Sequence, residues 1–197
     1  MTSVALQPGA NTSLSAAPSR PARVIIAVGW SPTSPAGLEI DASAFLLGAN
    51  GKVRGDDDMV FYNHPRTRDG CVAVVSAPGG DQQAFEVDFG TVPGAIEKIA
   101  FCVTIHEGEA RRQTFGTLQS AWIRALDARD GTEIARFDLP LAGRQEVAMI
   151  FCEVYRRNQE WKLRAVAQGF NQGLAPLAGG FGIQVERPAP PPPAPPR

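Results

Sequence analysis

Short apolar runs of five to eleven residues fill the chain between residues 23 and 186, and Gly, Pro, Asn and Asp separate them. Runs of this length between turn-forming residues predict β-strands, because helices need a longer stretch of 3.6-residue periodicity. So many short strands joined by local turns predict an all-β fold, a two-sheet antiparallel β-sandwich with one or two short helical turns. The eleven runs are RVIIAVGW, IDASAFLLG, MVFYN, CVAVVSA, AFEVDF, IEKIAFCVTI, SAWIRALDA, EIARFDL, EVAMIFCEVYR, EWKLRAVAQ and FGIQVE.

Local signals between the runs indicate how the strands connect. The pairs Asn50-Gly51, Asp69-Gly70 and Asp130-Gly131 supply the positive φ angles of tight hairpin turns, which predicts antiparallel pairing. The segments EGEARRQTFG and GLAPLAGG are the two candidates for short helical turns. The Pro and Gly residues of the second segment limit its length.

The chain of 197 residues, 44% of them hydrophobic, is long enough to bury one sizeable core. We expect one domain over residues 1–186. Residues 187–197, RPAPPPPAPPR, contain seven of the 17 prolines and predict a disordered tail that favours the polyproline II conformation. The alternative is that this tail is a ligand for an adaptor module with an aromatic groove.

Charge and hydropathy exclude several function classes. The chain has 19 basic and 20 acidic residues, a balance that argues against binding to a nucleic-acid backbone. The N-terminal segment lacks the apolar core of a signal peptide, and no run approaches the length of a membrane span. These features predict a cytoplasmic protein that is not an integral membrane protein.

Residues with reactive side chains form no recognisable catalytic or zinc motif. Cys71, Cys102 and Cys152 lie inside apolar runs and form no CxxC pair, which favours buried, reduced thiols. Nucleophile-elbow and phosphate-loop patterns are absent from the sequence, and His64 and His106 have no zinc-ligand spacing. The sequence therefore indicates a protein that is not an enzyme.

Four longer blocks carry a resemblance to a known family. DASAFLLGANGKVRGDDDMVFYN, KIAFCVTIHEGEARRQTFG, AMIFCEVYRRNQEWKLRAVAQGF and FGIQV resemble successive blocks of the tellurium-resistance TerD family of bacterial stress proteins, and VALQPGANTSL resembles its opening segment. The resemblance covers about residues 3–185. It implies a β-sandwich that binds calcium through acidic side chains and has no enzymatic activity. It also implies partners among other TerD-family or stress-complex proteins, and peripheral association with a membrane.

The resemblance also assigns candidate calcium ligands. Asp41 matches the second aspartate of the family's DLD motif, whereas Glu39 replaces the first, and alternation along a strand puts both side chains on one side. Asp56 and Asp58 match the acidic positions before VFYN, and they share parity as well. Calcium takes six to eight oxygen ligands, and the spacing here does not fit an EF-hand loop. The predicted metal ligands are Glu39, Asp41, Asp56, Asp58, Asn63 and Asp81.

One departure from the family weakens the expected calcium site. The family has a loop of the type GDNxTGxGxGDDE, whereas this chain has the shorter segment APGGDQQAFEVD. Asp81 is the acidic residue that remains in the loop, and Gln82 and Gln83 stand where the family has acids. Fewer carboxylates mean lower calcium affinity. Two hypotheses follow: a calcium-binding stress protein that acts as an interaction module, or a metal-free paralogue that acts as a scaffold.

Overall fold

The computed structural model describes residues 3–16, 20–33 and 37–184. Within these ranges the chain forms twelve strands and two short α-helices. The helices are α1 (Gly108–Arg111) and α2 (Leu174–Gly180). The strands are β1 (Val4–Ala5), β2 (Asn11–Ser13), β3 (Arg23–Ser31), β4 (Ile40–Gly48), β5 (Met59–Val60), β6 (Val72–Val75), β7 (Gln83–Asp88), β8 (Ile96–Ile105), β9 (Ser120–Asp127), β10 (Glu133–Asp138), β11 (Ala148–Arg157) and β12 (Glu160–Phe170).

The strands form two six-stranded sheets. The first sheet has the order β1-β10-β9-β3-β7-β6, and the second has the order β2-β12-β11-β8-β4-β5. Neighbouring strands are antiparallel except for β1 and β10, which pair in parallel. The predicted all-β fold of two mostly antiparallel sheets is therefore confirmed.

A continuous apolar core lies between the two sheets. Alternate residues of the longer strands enter it, as the half-buried strand pattern requires. In β12, for example, Trp161, Leu163 and Ala165 are all buried. Phe85 of the first sheet meets Phe101 of the second with 5.5 Å between ring centroids, so aromatic contacts join the layers.

A second apolar cluster lies on the outer face of the second sheet. Phe45, Leu47 and Ile150 project away from the core and pack under Leu177 and Ala178 of α2. This helix corresponds to the predicted turn GLAPLAGG, and its proline is tolerated because it lies in the first turn. α2 therefore shields one end of a sheet face that would otherwise expose large apolar side chains.

The turns agree with the sequence in part. Gly131, with φ +74°, joins β9 to β10 as a hairpin, as predicted. Asn50 and Gly51 do form a turn after β4, but β5 begins only at Met59, because a 3₁₀ turn intervenes. The predicted strand FGIQVE is not observed over residues 181–184, which follow α2 as a turn. Its last two residues and the tail of residues 187–197 lie outside the described residues.

Candidate metal site and its acidic side chains

Asp58 lies in the 3₁₀ turn Asp56–Asp58 and is 3% exposed. Its Oδ2 atom accepts hydrogen bonds from the backbone N–H (2.8 Å) and Nε (2.9 Å) of Arg54, and its Oδ1 atom accepts one from Nη2 (2.6 Å). The bond to Asp58 raises the pKa of the Arg54 guanidinium above its ordinary value. Both carboxylate oxygens of Asp58 therefore already face a cation of the protein itself.

A shallow cleft of about 540 Å³ surrounds this ion pair. Asp69 is a second partner of Arg54, with 3.2 Å between its Oδ2 atom and Nη2 of Arg54, and Asp57 and Arg68 line the walls. Asp56 is exposed whereas Asp58 is buried. The parity argument for these two residues does not hold, because side chains alternate along an extended strand and not along a 3₁₀ turn.

Asp81 lies in the loop between β6 and β7, and its side chain is 1% exposed. Its Oδ1 atom accepts a hydrogen bond from Nε1 of Trp122 at 2.7 Å. Its Oδ2 atom accepts two from Arg124, from Nε at 2.9 Å and from Nη2 at 2.6 Å. The bond to Asp81 raises the pKa of Arg124, and Glu133 adds to this effect. Asp81 is thus held on the outer face of the first sheet.

The remaining predicted ligands lie at the second sheet. Asp41 follows Ile40 in β4, and because Ile40 and Ala42 face the core, Asp41 faces outward. Glu39 comes just before β4, and its side chain is 65% exposed and 3.7 Å from Arg111. Asn63 is exposed in the turn after β5.

The structure does not bring the six predicted ligands into one cluster. Met59, next to Asp58, pairs with Phe45, four residues along β4 from Asp41, which corresponds to about 13 Å of strand. Asp81 and Asp41 lie on the outer faces of different sheets. In residues 3–16, 20–33 and 37–184, no group of three or more His, Cys, Asp and Glu side chains has the geometry to hold a metal ion.

The two glutamines that stand at acidic positions of the family have a structural role. Gln82 Oε1 accepts a hydrogen bond from the backbone N–H of Trp30 at 2.7 Å. Gln83 Oε1 accepts one from the backbone N–H of Ala42 at 2.5 Å, which links β7 of the first sheet to β4 of the second. A neutral amide suits this position because its oxygen can accept from a buried N–H without burying a charge.

The nucleophilic side chains are held in unreactive settings. Burial raises the pKa of Cys71 to about 12, and it raises the pKa of Cys102 and Cys152 well above the ordinary value. All three cysteines are free and buried, as predicted. A thiol with a raised pKa stays protonated near neutral pH and is a poor nucleophile.

Arg54, Trp122 and Arg124 are the contacts that sequence reasoning missed. Arg54 precedes Asp58 by four residues, so a local ion pair could have been anticipated. Arg124 and Trp122 are more than 40 positions from Asp81, and their contact depends on the register of β9 against β3 and of β3 against β7. No local sequence signal carries that information.

Comparison with known proteins places the chain in a class of bacterial stress proteins. Tellurium resistance protein TerD of Serratia marcescens is 44% identical over 190 residues, which cover 93% of this chain and 99% of that protein. General stress protein 16U of Bacillus subtilis is 36% identical over 171 residues, which cover 83% and 89% of the two chains. The TerD domain model matches residues 1–181. The chain belongs to the TerD family.

A solved structure shows the same fold. The homologue of telluride resistance protein TerD from Streptomyces coelicolor A3(2) has a TM-score of 0.61 and 17% sequence identity, and the match covers 84% of this chain and 99% of that one. As for membrane spans, none of the helices in the described residues is both long and apolar enough to cross a bilayer.

Proposed function

We propose that this protein acts in the bacterial response to tellurite and related chemical stress, as a non-enzymatic module that binds other proteins in the cytoplasm. The observation that carries this proposal is the 44% identity to tellurium resistance protein TerD of Serratia marcescens, which extends over 99% of that protein. The expected partners are other TerD-family or stress-complex proteins, with peripheral membrane association as a further expectation.

The settings of the reactive side chains support a role without catalysis. The three thiols are buried, and their raised pKa values keep them protonated. His106 is exposed, with its Nε2 atom 4.0 Å from a carboxylate oxygen of Glu107, and Glu107 itself is paired with Arg111 at 2.8 Å. This arrangement is typical of a solvated charged surface and gives no enclosed site for a substrate.

Survival of the source bacterium on tellurite tests the proposal. Deletion of the gene should lower survival on tellurite or on a second chemical stress, and re-expression of the chain should restore it. A chain that ends at Glu186 serves as a second arm, since it tests whether resistance needs the Pro-rich tail. A deletion strain as resistant as its parent under every stress would contradict the proposal.

Calcium binding is the second candidate function, and one observation favours a position for the ion at the start of β4. Asp41 is paired with Thr104 across the antiparallel strands, so their outward-facing side chains are neighbours. The buried Oγ1 atom of Thr104 has no hydrogen-bond partner within the described structure. We propose that Asp41 would bind the ion, with Glu39 and Thr104 as further oxygen donors and water completing the shell.

A calorimetric calcium titration tests this second candidate. Because few carboxylates are available, we expect weak binding, with Kd on the order of 10⁻⁴ to 10⁻³ M. Asp41→Asn should abolish the binding heat, whereas Asp56→Asn, at an exposed position outside the proposed site, should leave it unchanged. Absence of binding heat in the wild-type protein, or an unchanged affinity in Asp41→Asn, would contradict the candidate.

A further inference from the structure

The guanidinium of Arg124 lies among oxygen atoms from two separate segments, the loop that contains Pro78 and Asp81 and strand β10. Besides Asp81, it contacts Glu133 Oε2 of β10 at 3.2 Å and the backbone carbonyl of Pro78 at 3.4 Å. The Arg124 side chain is 19% exposed and that of Asp81 is 1% exposed. Two carboxylates and a carbonyl around one positive charge are an environment that suits a cation.

The surroundings fix each of these oxygen atoms in place. The second oxygen of Glu133 accepts a hydrogen bond from the Ser3 hydroxyl at 2.6 Å, which ties it to the N-terminal segment. The second oxygen of Asp81 accepts from Trp122, whose indole occupies the space beside Gly29 that a Cβ atom would fill. Each of the two carboxylates therefore has a second hydrogen-bond partner besides Arg124, and that partner fixes its orientation.

The backbone of the loop of residues 76–82 packs closely against the Arg124 guanidinium. Gly79 has a φ of +60°, and a Cβ atom at this position would lie 3.3 Å from Nη2 of Arg124. The Asp81 N–H bonds back to the Pro78 carbonyl at 3.2 Å, which closes a tight turn around the charge. Apart from these polar contacts, Ala77 adds apolar packing against a small cluster on the same face.

We propose that the guanidinium of Arg124 occupies a cation position formed by Asp81, Glu133 and Pro78, and that it holds residues 76–82 on the first sheet without a metal ion. Calcium can fill this position only when Arg124 is replaced by a small side chain. The position lies on the other sheet from Asp41, so the inference is independent of the calcium candidate above. It is also independent of the partners and of the stress to which the protein responds.

Amide hydrogen exchange at Gly79–Gln82 tests the role of Arg124. In Arg124→Ala we expect exchange to be faster by about tenfold or more, because Asp81 loses its counter-ion and the loop opens. Arg136→Ala is the matched control, since Arg136 stacks on the same Trp122 ring at 4.9 Å but pairs with Asp138 and not with the loop. Its loop exchange should stay close to that of the wild-type protein.

Addition of calcium tests whether the position accepts a metal ion. Millimolar calcium should restore loop protection in Arg124→Ala and leave loop exchange unchanged in the wild-type protein and in Arg136→Ala. Wild-type exchange in folded Arg124→Ala, or no effect of calcium on that variant, would overturn the proposal. If Arg124→Ala does not fold, Arg124→Lys serves as the second variant, because it keeps the positive charge but loses the pair of hydrogen bonds to Asp81 Oδ2. The loop amides of Arg124→Lys should exchange about threefold faster than those of the wild-type protein. An unchanged rate in that variant would overturn the proposal equally.

Discussion

The two sheets of the sandwich have outer faces that are covered in different ways. On the second sheet, Leu177 of α2 packs against an apolar cluster that includes Phe45. On the first sheet, the ion pair of Asp81 with Arg124 connects the loop of residues 76–82 to β9. Burial of apolar area stabilises the fold directly, whereas a buried ion pair recovers little more than its own desolvation. We therefore expect the second sheet's outer face to contribute stability and the first sheet's to position a loop.

Of the variants that test this comparison, Phe45→Ala should lose the most stability. Phe45 is fully buried and its ring centroid is 5.0 Å from that of Phe181, so truncation leaves a cavity beneath α2. We expect a loss of about 3–5 kcal/mol in the free energy of unfolding, measured by urea denaturation. Tyr62→Ala is the control, because Tyr62 is 64% exposed and its loss should have little effect. A loss below about 1 kcal/mol for Phe45→Ala would show that α2 does not cover this face as described.

Gly29→Ala probes the first sheet in the same assay. A Cβ atom at Gly29 would lie 2.1 Å from Cε2 of Trp122, so the indole must move and its bond to Asp81 is disturbed. We expect a loss of about 1–3 kcal/mol from this overpacking. Gly80→Ala is the control, since no atom lies within 4 Å of the added Cβ. Equal stability of the two variants would contradict the close approach of Trp122 to β3.

Acid titration sharpens the comparison through Glu153, a buried charge on the second sheet. Burial alone would raise the pKa of Glu153, but its bonds to Arg164 and Lys98 outweigh burial and hold the pKa below the ordinary value of 4.5. A carboxyl group with a lowered folded pKa contributes stability above the ordinary pKa, and that contribution is lost as the pH falls through the folded value.

The measurement for Glu153 is the free energy of unfolding between neutral pH and pH values below the ordinary carboxyl pKa. Glu153→Gln should lower stability at neutral pH and reduce its decline on acidification, with part of the decline remaining because Asp69 and Glu146 also have lowered pKa values. Glu97→Gln, at an exposed position of β8, is the control. A decline in Glu153→Gln as steep as in the wild-type protein would argue against the ion pairs.

Arg23→Gln should have the smallest effect. Arg23 contacts Glu86 at 3.4 Å, and the two side chains are 55% and 34% exposed. Exposed pairs of this kind contribute about 0.2–1 kcal/mol at most, and salt screens them. Urea denaturation at low and high salt checks this value. A loss larger than about 1 kcal/mol would mean that charged pairs on the first sheet stabilise the fold more than we infer.

Most of the strands could be predicted from the sequence because their apolar residues enter a core with a period of two. The predicted run IEKIAFCVTI has the same bounds as β8. β1 and β2 could not be predicted, because these segments of two and three residues become strands only by pairing with β10 and β12. Long-range pairing decides such edge strands.

The candidate site could be predicted much less well. The four-residue spacing of Arg54 and Asp58 is compatible with a local ion pair, but nothing in the sequence shows that an arginine neutralises Asp81. For Asp81 the arginine comes from a strand 43 positions away, and the strand register alone brings the two together. Strand alternation also predicted wrongly that the side chains of Asp56 and Asp58 lie on one side, because this segment is a 3₁₀ turn.

The central claim is that arginine side chains, and not a metal ion, neutralise Asp58 and Asp81. Thermal unfolding in EDTA tests this claim most directly. The EDTA-treated protein should unfold cooperatively, with its midpoint within about 2 °C of that of the untreated protein, because we expect Arg54 and Arg124, and not a metal ion, to neutralise these carboxylates. Loss of the cooperative transition in EDTA, with recovery on addition of calcium, would contradict the account.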